Sequence, residues 1–161
     1  MSAQTPVVTY AIIGVCVALW VGDILTKGVI TQYLGFTPIH GLYQPWRILT
    51  TAFLHVNLMH IAFNMVSLYA VGRALEPALG RGPYFCLYLL SALGGTLGVL
   101  GWVLIDPSSA STVTVGASGA IFGLFGSVFV LQRAAGIDVR AVAGLLAVNL
   151  LYGFIVSGVS W

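Results

Sequence analysis

Ser118 is the residue whose type and setting could do chemistry. It lies in Val115-Gly116-Ala117-Ser118-Gly119-Ala120-Ile121-Phe122-Gly123, a single hydroxyl between two glycines at the mouth of an apolar helix. The apolar run from there to Gln132 has about 16 residues, roughly 24 Å at 1.5 Å per residue, against roughly 30 Å for a bilayer core. With Arg133 at one water boundary, Ser118 stays below the opposite one. Two readings follow. Small residues at Gly116, Ser118, Gly119 and Gly123 let helices approach closely, and Gly119 and Gly123 have Gly-x-x-x-Gly spacing. Alternatively Ser118 is a nucleophile, and Gly116 and Gly119 allow a tight turn and close approach of a substrate backbone.

Two more polar side chains fall in the same slab. Counting from Arg133, Ser118 lies about 22 Å up; counting from Arg73, His60 lies about 20 Å and Asn64 about 14 Å up. His60 and Asn64 are four residues apart and share one helix face. A polar residue in a span can simply hydrogen-bond a neighbouring helix for about 0.6 kcal/mol, but intramembrane ionisable groups are functional candidates by default. A zinc site from His55 and His60 is disfavoured. On one continuous helix these residues point about 140° apart, and no Glu or Cys stands nearby to complete a ligand set. No metal or other cofactor is expected.

The elements that must position these groups are membrane helices. The chain of 161 residues is 59% hydrophobic and 6% charged, with mean hydropathy +1.02. No soluble domain of this length can hide that much apolar surface, so the class is an all-α polytopic membrane helix bundle with the lipid bilayer as its surroundings. Apolar segments lie at about 7–25, 56–75, 83–105, 117–132 and 139–159. The stretch 26–55 is too apolar for an aqueous loop and too broken by Gly and Pro for a span. It reads as an interfacial first loop with Tyr43 and Trp46 at headgroup level. Cys16 and Cys86 both sit inside apolar runs, against a disulfide. A net charge of +2 gives no footing for nucleic acid.

The charges orient the bundle. Arg73 and Arg81 bracket one connection and Arg133 and Arg140 another on the same side, opposite Lys27 and Arg47. The excess of basic residues makes the four-arginine side cytoplasmic. The N-terminus is then cytoplasmic, and Ser118 faces the outer leaflet. The absence of an import signal and the sparse cysteine fit a bacterial plasma membrane.

Taken together, these residues resemble the rhomboid intramembrane serine proteases. His55-x-x-x-x-His60-x-x-x-Asn64 is similar to the family's second-helix motif, and Gly72-x-x-x-Glu76-x-x-x-Gly80 to the signature closing that helix. Trp46-Arg47 resembles the pair in the first loop, and Gly116-Ala117-Ser118-Gly119 the Gly-x-Ser-Gly of the fourth helix. The resemblance covers about 45–161 and implies a rhomboid-like bundle with five of six core transmembrane helices present. It implies a Ser–His dyad hydrolysing peptide bonds of transmembrane protein substrates. Ser118 would be the nucleophile, and its own N–H with the side chains of His60 and Asn64 would stabilise the oxyanion. Gly116, Gly119, Phe122 and His55 would support the site, Phe122 at the aromatic position on which the family's catalytic histidine stacks. Glu76 and Arg73 would close the cytoplasmic end of the second helix.

The family's general base is a histidine on a sixth helix, whereas the histidines of this chain are His40, His55 and His60. The residues from Asn149 resemble the fifth helix and its exit loop, so the base is expected a few residues past Trp161. The 161-residue chain alone is then expected to show little proteolysis, since an unactivated hydroxyl is weakly nucleophilic, and to expose the face that a sixth helix covers. A rhomboid-like pseudoprotease that binds membrane clients is the alternative. A small transporter is a third reading, but neither inverted repeats nor midplane charges point to it. Retention of Ser118, His60 and Asn64 together favours the enzyme.

Overall fold

A computed structural model describes residues 5–41 and 43–155, with side chains described through residue 148. Among the described residues eight α-helices follow one another. These are α1 (Val7–Leu25), α2 (Val29–Leu34), α3 (Pro38–Gly41), α4 (Arg47–Thr50), α5 (Leu58–Leu79), α6 (Arg81–Val103), α7 (Ser118–Ala134) and α8 (Arg140–Ile155). Short 3-10 turns occupy Thr51–Phe53 and Pro107–Ser111. α1, α5 and α6, with 19, 22 and 23 residues, are long and apolar enough to cross a membrane, whereas α7 has 17 residues and is shorter. The protein is a helical integral membrane protein.

The expected segment 7–25 coincides with α1, and those at 56–75, 83–105, 117–132 and 139–159 overlap α5, α6, α7 and α8 with shifted ends. The segment placed at 56–75 begins at Leu58, because the Asn57 side chain accepts the His60 N–H (2.8 Å) and caps the helix. It runs on to Leu79, where Gly80 at φ +85° turns the chain into α6. Residues 156–159 of the last expected segment lie outside the described residues. The stretch 26–55 holds the three short helices and the Thr51–Phe53 turn.

α7 packs against α5, α6 and α8, and buries Ala120, Ile121, Leu124, Phe125 and Val128. Its contact with α6 is a backbone approach. A methyl on Gly119 would meet the Gly95 Cα at 3.1 Å, and one on Gly123 would overlap the Ser91 side chain. Small residues therefore set the closeness of the helix that starts at Ser118.

The opposite end is closed by a buried carboxylate. Glu76 was expected to close its own helix, and instead it reaches across to α1. Its oxygens accept the Val8 and Thr9 N–H groups and the Thr9 hydroxyl, each at 2.8 Å. These N–H groups are among the four that a helix N-terminus leaves without an internal partner, and the positive helix end favours the charge. The Thr9 hydroxyl also bonds Tyr84 at 3.1 Å, and Gly72 leaves the room in which Thr9 and Tyr84 meet. Gly72, Glu76 and Gly80 thus tie α1, α5 and α6 together. Asp23 does the same for the first loop, accepting the Thr31 N–H and hydroxyl (2.7 Å each) at the start of α2. Arg47, on the same loop, is buried and donates to the carbonyls of Gln32 (2.8 Å) and Gly35 (2.6 Å) and to the Gln44 side chain.

Candidate active site

Ser118 is the first residue of α7. The first helical hydrogen bond runs from the Ile121 N–H to the Ala117 carbonyl (2.9 Å), so the N–H groups of Ser118, Gly119 and Ala120 lie ahead of the helical ladder. They present the positive end of the helix dipole beside the hydroxyl, a setting that favours a negative oxygen.

The turn into Ser118 requires glycine for two reasons. Gly116 has φ +136°, a conformation that L side chains rarely adopt. A Cβ there would also stand 2.9 Å from both Cε1 and Nε2 of His60 and 3.5 Å from the Ser118 Oγ. The imidazole and the hydroxyl therefore border the space of one methyl group. α5 brings His60 to this place, and Gly116 brings the chain close enough for Ser118 to share it.

A cavity of about 530 Å³ opens in front of the serine. Its lining includes Thr51, Gly95, Trp102, Gly116, Ser118 and Phe122. Phe122 is one turn along α7 from Ser118, and Gly119 forms the floor against α6. Asn64 is placed differently. It is buried one turn deeper on α5, and its amide donates to the His60 carbonyl at 2.9 Å. One of its two N–H bonds is thereby spent on its own helix.

His55 departs from the sequence expectation. The 140° separation assumed that α5 continues back through it, but the helix begins at Leu58 and His55 sits in the preceding loop. Its ring packs edge-on against His60, with centroids 5.1 Å apart. Both imidazoles are buried, and their ring nitrogens lack a hydrogen-bond partner among the described residues. No group of three or more His, Cys, Asp or Glu side chains suited to a metal occurs among the described residues.

Burial, and secondarily the nearby His60, pushes the His55 imidazole from its ordinary 6.5 down to about 3. As pH falls below 6.5 the unfolded chain takes up this proton before the fold does. Stability is therefore full above pH 6.5 and declines toward pH 3. Thermal unfolding in detergent is expected to show this decline, and His55→Gln is expected to flatten it.

Comparison with known proteins gives the arrangement its relatives. Residues 42–161 match the family model described as the Rhomboid domain. The chain is 33% identical over 122 residues to the rhomboid protease GluP of Bacillus subtilis, covering 71% of this chain and 22% of that protein. It is 41% identical over 81 residues to the putative rhomboid protease YdcA of Bacillus subtilis, covering 50% and 38%. It is 29% identical over 156 residues to the rhomboid protease GlpG of Yersinia enterocolitica, covering 94% and 53%. The chain thus spans between about a fifth and about half of the length of these relatives. The matched domain takes in both helices that meet at Ser118, and the chain belongs to the rhomboid family, known as intramembrane serine proteases.

Proposed function

We propose that this chain carries the nucleophile and oxyanion site of an intramembrane serine endopeptidase that cuts membrane-spanning protein substrates. The observation that carries the reading is the Gly116 turn, which packs the serine and His60 around one methyl-sized space at the start of α7. The Ser118 Oγ attacks the carbonyl carbon of the scissile bond as its proton passes to a general base. The carbonyl oxygen becomes an oxyanion held by the Ser118 N–H and by the side chains of His60 and Asn64. Fixed donors in a water-poor site stabilise this developing charge far better than water does. The base then delivers the proton to the leaving amine, and water, activated in the same way, releases the acyl group from the serine.

The general base in this reading is a histidine on a sixth helix that follows residue 161. Its seat is the glycine-lined face of α6 and α7. The cavity in front of Ser118 is bordered by Gly94, Gly95, Gly98, Gly119 and Gly123. An apolar groove bordered by Leu87, Leu90, Gly126 and Val130 continues down the same pair of helices. A helix seated there would pass directly beside the hydroxyl. The basic residues support an orientation with the N-terminus in the cytoplasm and Ser118 toward the outer leaflet.

The test is cleavage of a transmembrane substrate by the complete protein, meaning this chain with the segment that follows it, reconstituted in vesicles. Cleavage abolished by Ser118→Ala is the expected result. A folded complete protein that binds such substrates without cutting them would overturn the reading in favour of a client-binding pseudoprotease.

A further inference from the structure

The segment that leads into Ser118 is held from outside its own helix. The Phe36 N–H donates to the Thr114 carbonyl (3.1 Å) and the Thr114 N–H returns to the Phe36 carbonyl (2.7 Å), an isolated antiparallel bridge between the first loop and residue 114. One residue pair further on, the Gly116 N–H donates to the Thr51 carbonyl at 3.0 Å. The Thr51 hydroxyl donates to the Thr114 carbonyl as well (2.5 Å). Thr51 is therefore bonded to both sides of Val115, through its backbone at Gly116 and through its side chain at Thr114. It is buried and lines the cavity in front of Ser118.

Thr51 is itself held from behind. The Tyr88 hydroxyl on α6 donates to the Ala52 carbonyl (3.0 Å), and the Thr96 hydroxyl donates to the Ile48 carbonyl (2.9 Å). The short segment 48–52 is thus clamped to a membrane-crossing helix on one side and grips residues 114–116 on the other. A turn that holds a nucleophile needs such a clamp, because a serine displaced by about 1 Å can lose about 10²-fold in rate.

We propose that Thr51 is a positioning residue for the Ser118 nucleophile, its hydroxyl and carbonyl fixing the turn at Gly116 so that Oγ and the oxyanion N–H keep their mutual geometry. The proposal rests on Ser118 being the nucleophile. It assigns the hydroxyl a role in the rate of the serine's reaction, separate from any role in stability.

The experiment measures the rate constant for labelling of Ser118 by a fluorophosphonate in the complete protein, together with kcat and KM for a transmembrane substrate. A rate constant, unlike a labelled fraction, does not depend on how much of a sample is folded. Thr51→Val keeps the shape and removes the hydroxyl. It is expected to slow labelling and kcat by about tenfold or more with KM little changed. Thr51→Ser, which restores the donor, is expected to recover most of the rate. Thr31→Val is the control: the Thr31 hydroxyl donates to the Asp23 carboxylate (2.7 Å), outside the segment 48–52, and its loss is expected to lower stability without slowing labelling.

A parent protein that does not label at Ser118 overturns the nucleophile assignment itself. A parent that labels, with Thr51→Val or Thr51→Ala labelling at the parental rate constant, overturns the positioning role alone. Loss of the fold in both variants would assign Thr51 to stability only and would overturn it too.

Discussion

Replacing His60 with alanine in the complete protein is expected to lower kcat by about 10²–10³-fold while KM changes little. The physical reason is where the imidazole stands. Its Nε2 is 2.9 Å from the point at which a Gly116 methyl would lie, and the Ser118 Oγ is 3.5 Å from that same point. In the proposed mechanism a donor there bonds the substrate oxygen as that oxygen takes up negative charge in the tetrahedral centre on Ser118. It therefore contributes mainly in the transition state, the condition under which a substitution lowers kcat and kcat/KM together. Asn64→Ala is expected to cost less, about tenfold, because one N–H of its amide is bonded to the His60 carbonyl and it lies a turn deeper. The two losses are expected to be less than additive, since in the proposed mechanism both groups serve one oxygen. Steady-state kinetics in vesicles check these values. A His60→Ala protein that is folded and cleaves within a few-fold of the parent would remove His60 from the oxyanion site.

The largest expected loss of stability is at the other end of the bundle. Glu76→Ala is expected to destabilise the fold by about 3–5 kcal/mol, because two N–H groups and one hydroxyl lose a charged acceptor where water cannot replace it. The carboxylate is 2% exposed, and its three partners all belong to the first turn of α1. Glu76→Gln is expected to fall in between, since an amide keeps one acceptor oxygen but turns a donor toward donors. Thermal or detergent-titrated unfolding measures the effect, with Arg73→Ala as a comparison. Arg73 lies over the Tyr69 ring (5.7 Å) at the exposed side of α5, and its loss is expected to cost well under 1 kcal/mol. Equal effects at the two positions would contradict the cap.

The difference between Glu76 and His55 shows what a sequence carries and what it does not. Gly72, Glu76 and Gly80 recur every fourth residue, so their common face on α5 could be read directly. The partner of that face could not, because the first turn of α1 is almost seventy residues away (68 and 67 positions). The 140° separation of His55 from His60 fails for a local reason. Asn57 three residues before His60 is a helix-start signal. With that signal α5 begins at Leu58, and His55, in the loop ahead of it, packs its ring against His60 instead of pointing away from it. Ser118 and His60 were legible because their surroundings are apolar and because glycine marks the turn between them. Thr51 and Phe36 were not, since a backbone pairing between residues 36 and 114 has no periodic or compositional signal in either segment.

Continuous apolar runs mark α1, α5 and α6, the three helices among the described residues that are long and apolar enough to cross a membrane. The ends of α5 are set by single residues, Asn57 and Gly80, that composition averages away. α7 is shorter than these three helices. It begins at Ser118, so the N–H groups of its first turn are left ahead of the helical ladder beside the hydroxyl.

The most direct test of Ser118 as nucleophile is mass-spectrometric mapping of the fluorophosphonate adduct on the complete, folded protein in vesicles. The adduct is predicted on the peptide that contains Ser118, with none formed on the Ser118→Ala protein. Labelling of a different serine, or none at all on a protein whose thermal unfolding shows it to be folded, would contradict the assignment of this chain as the nucleophile-bearing part of a protease.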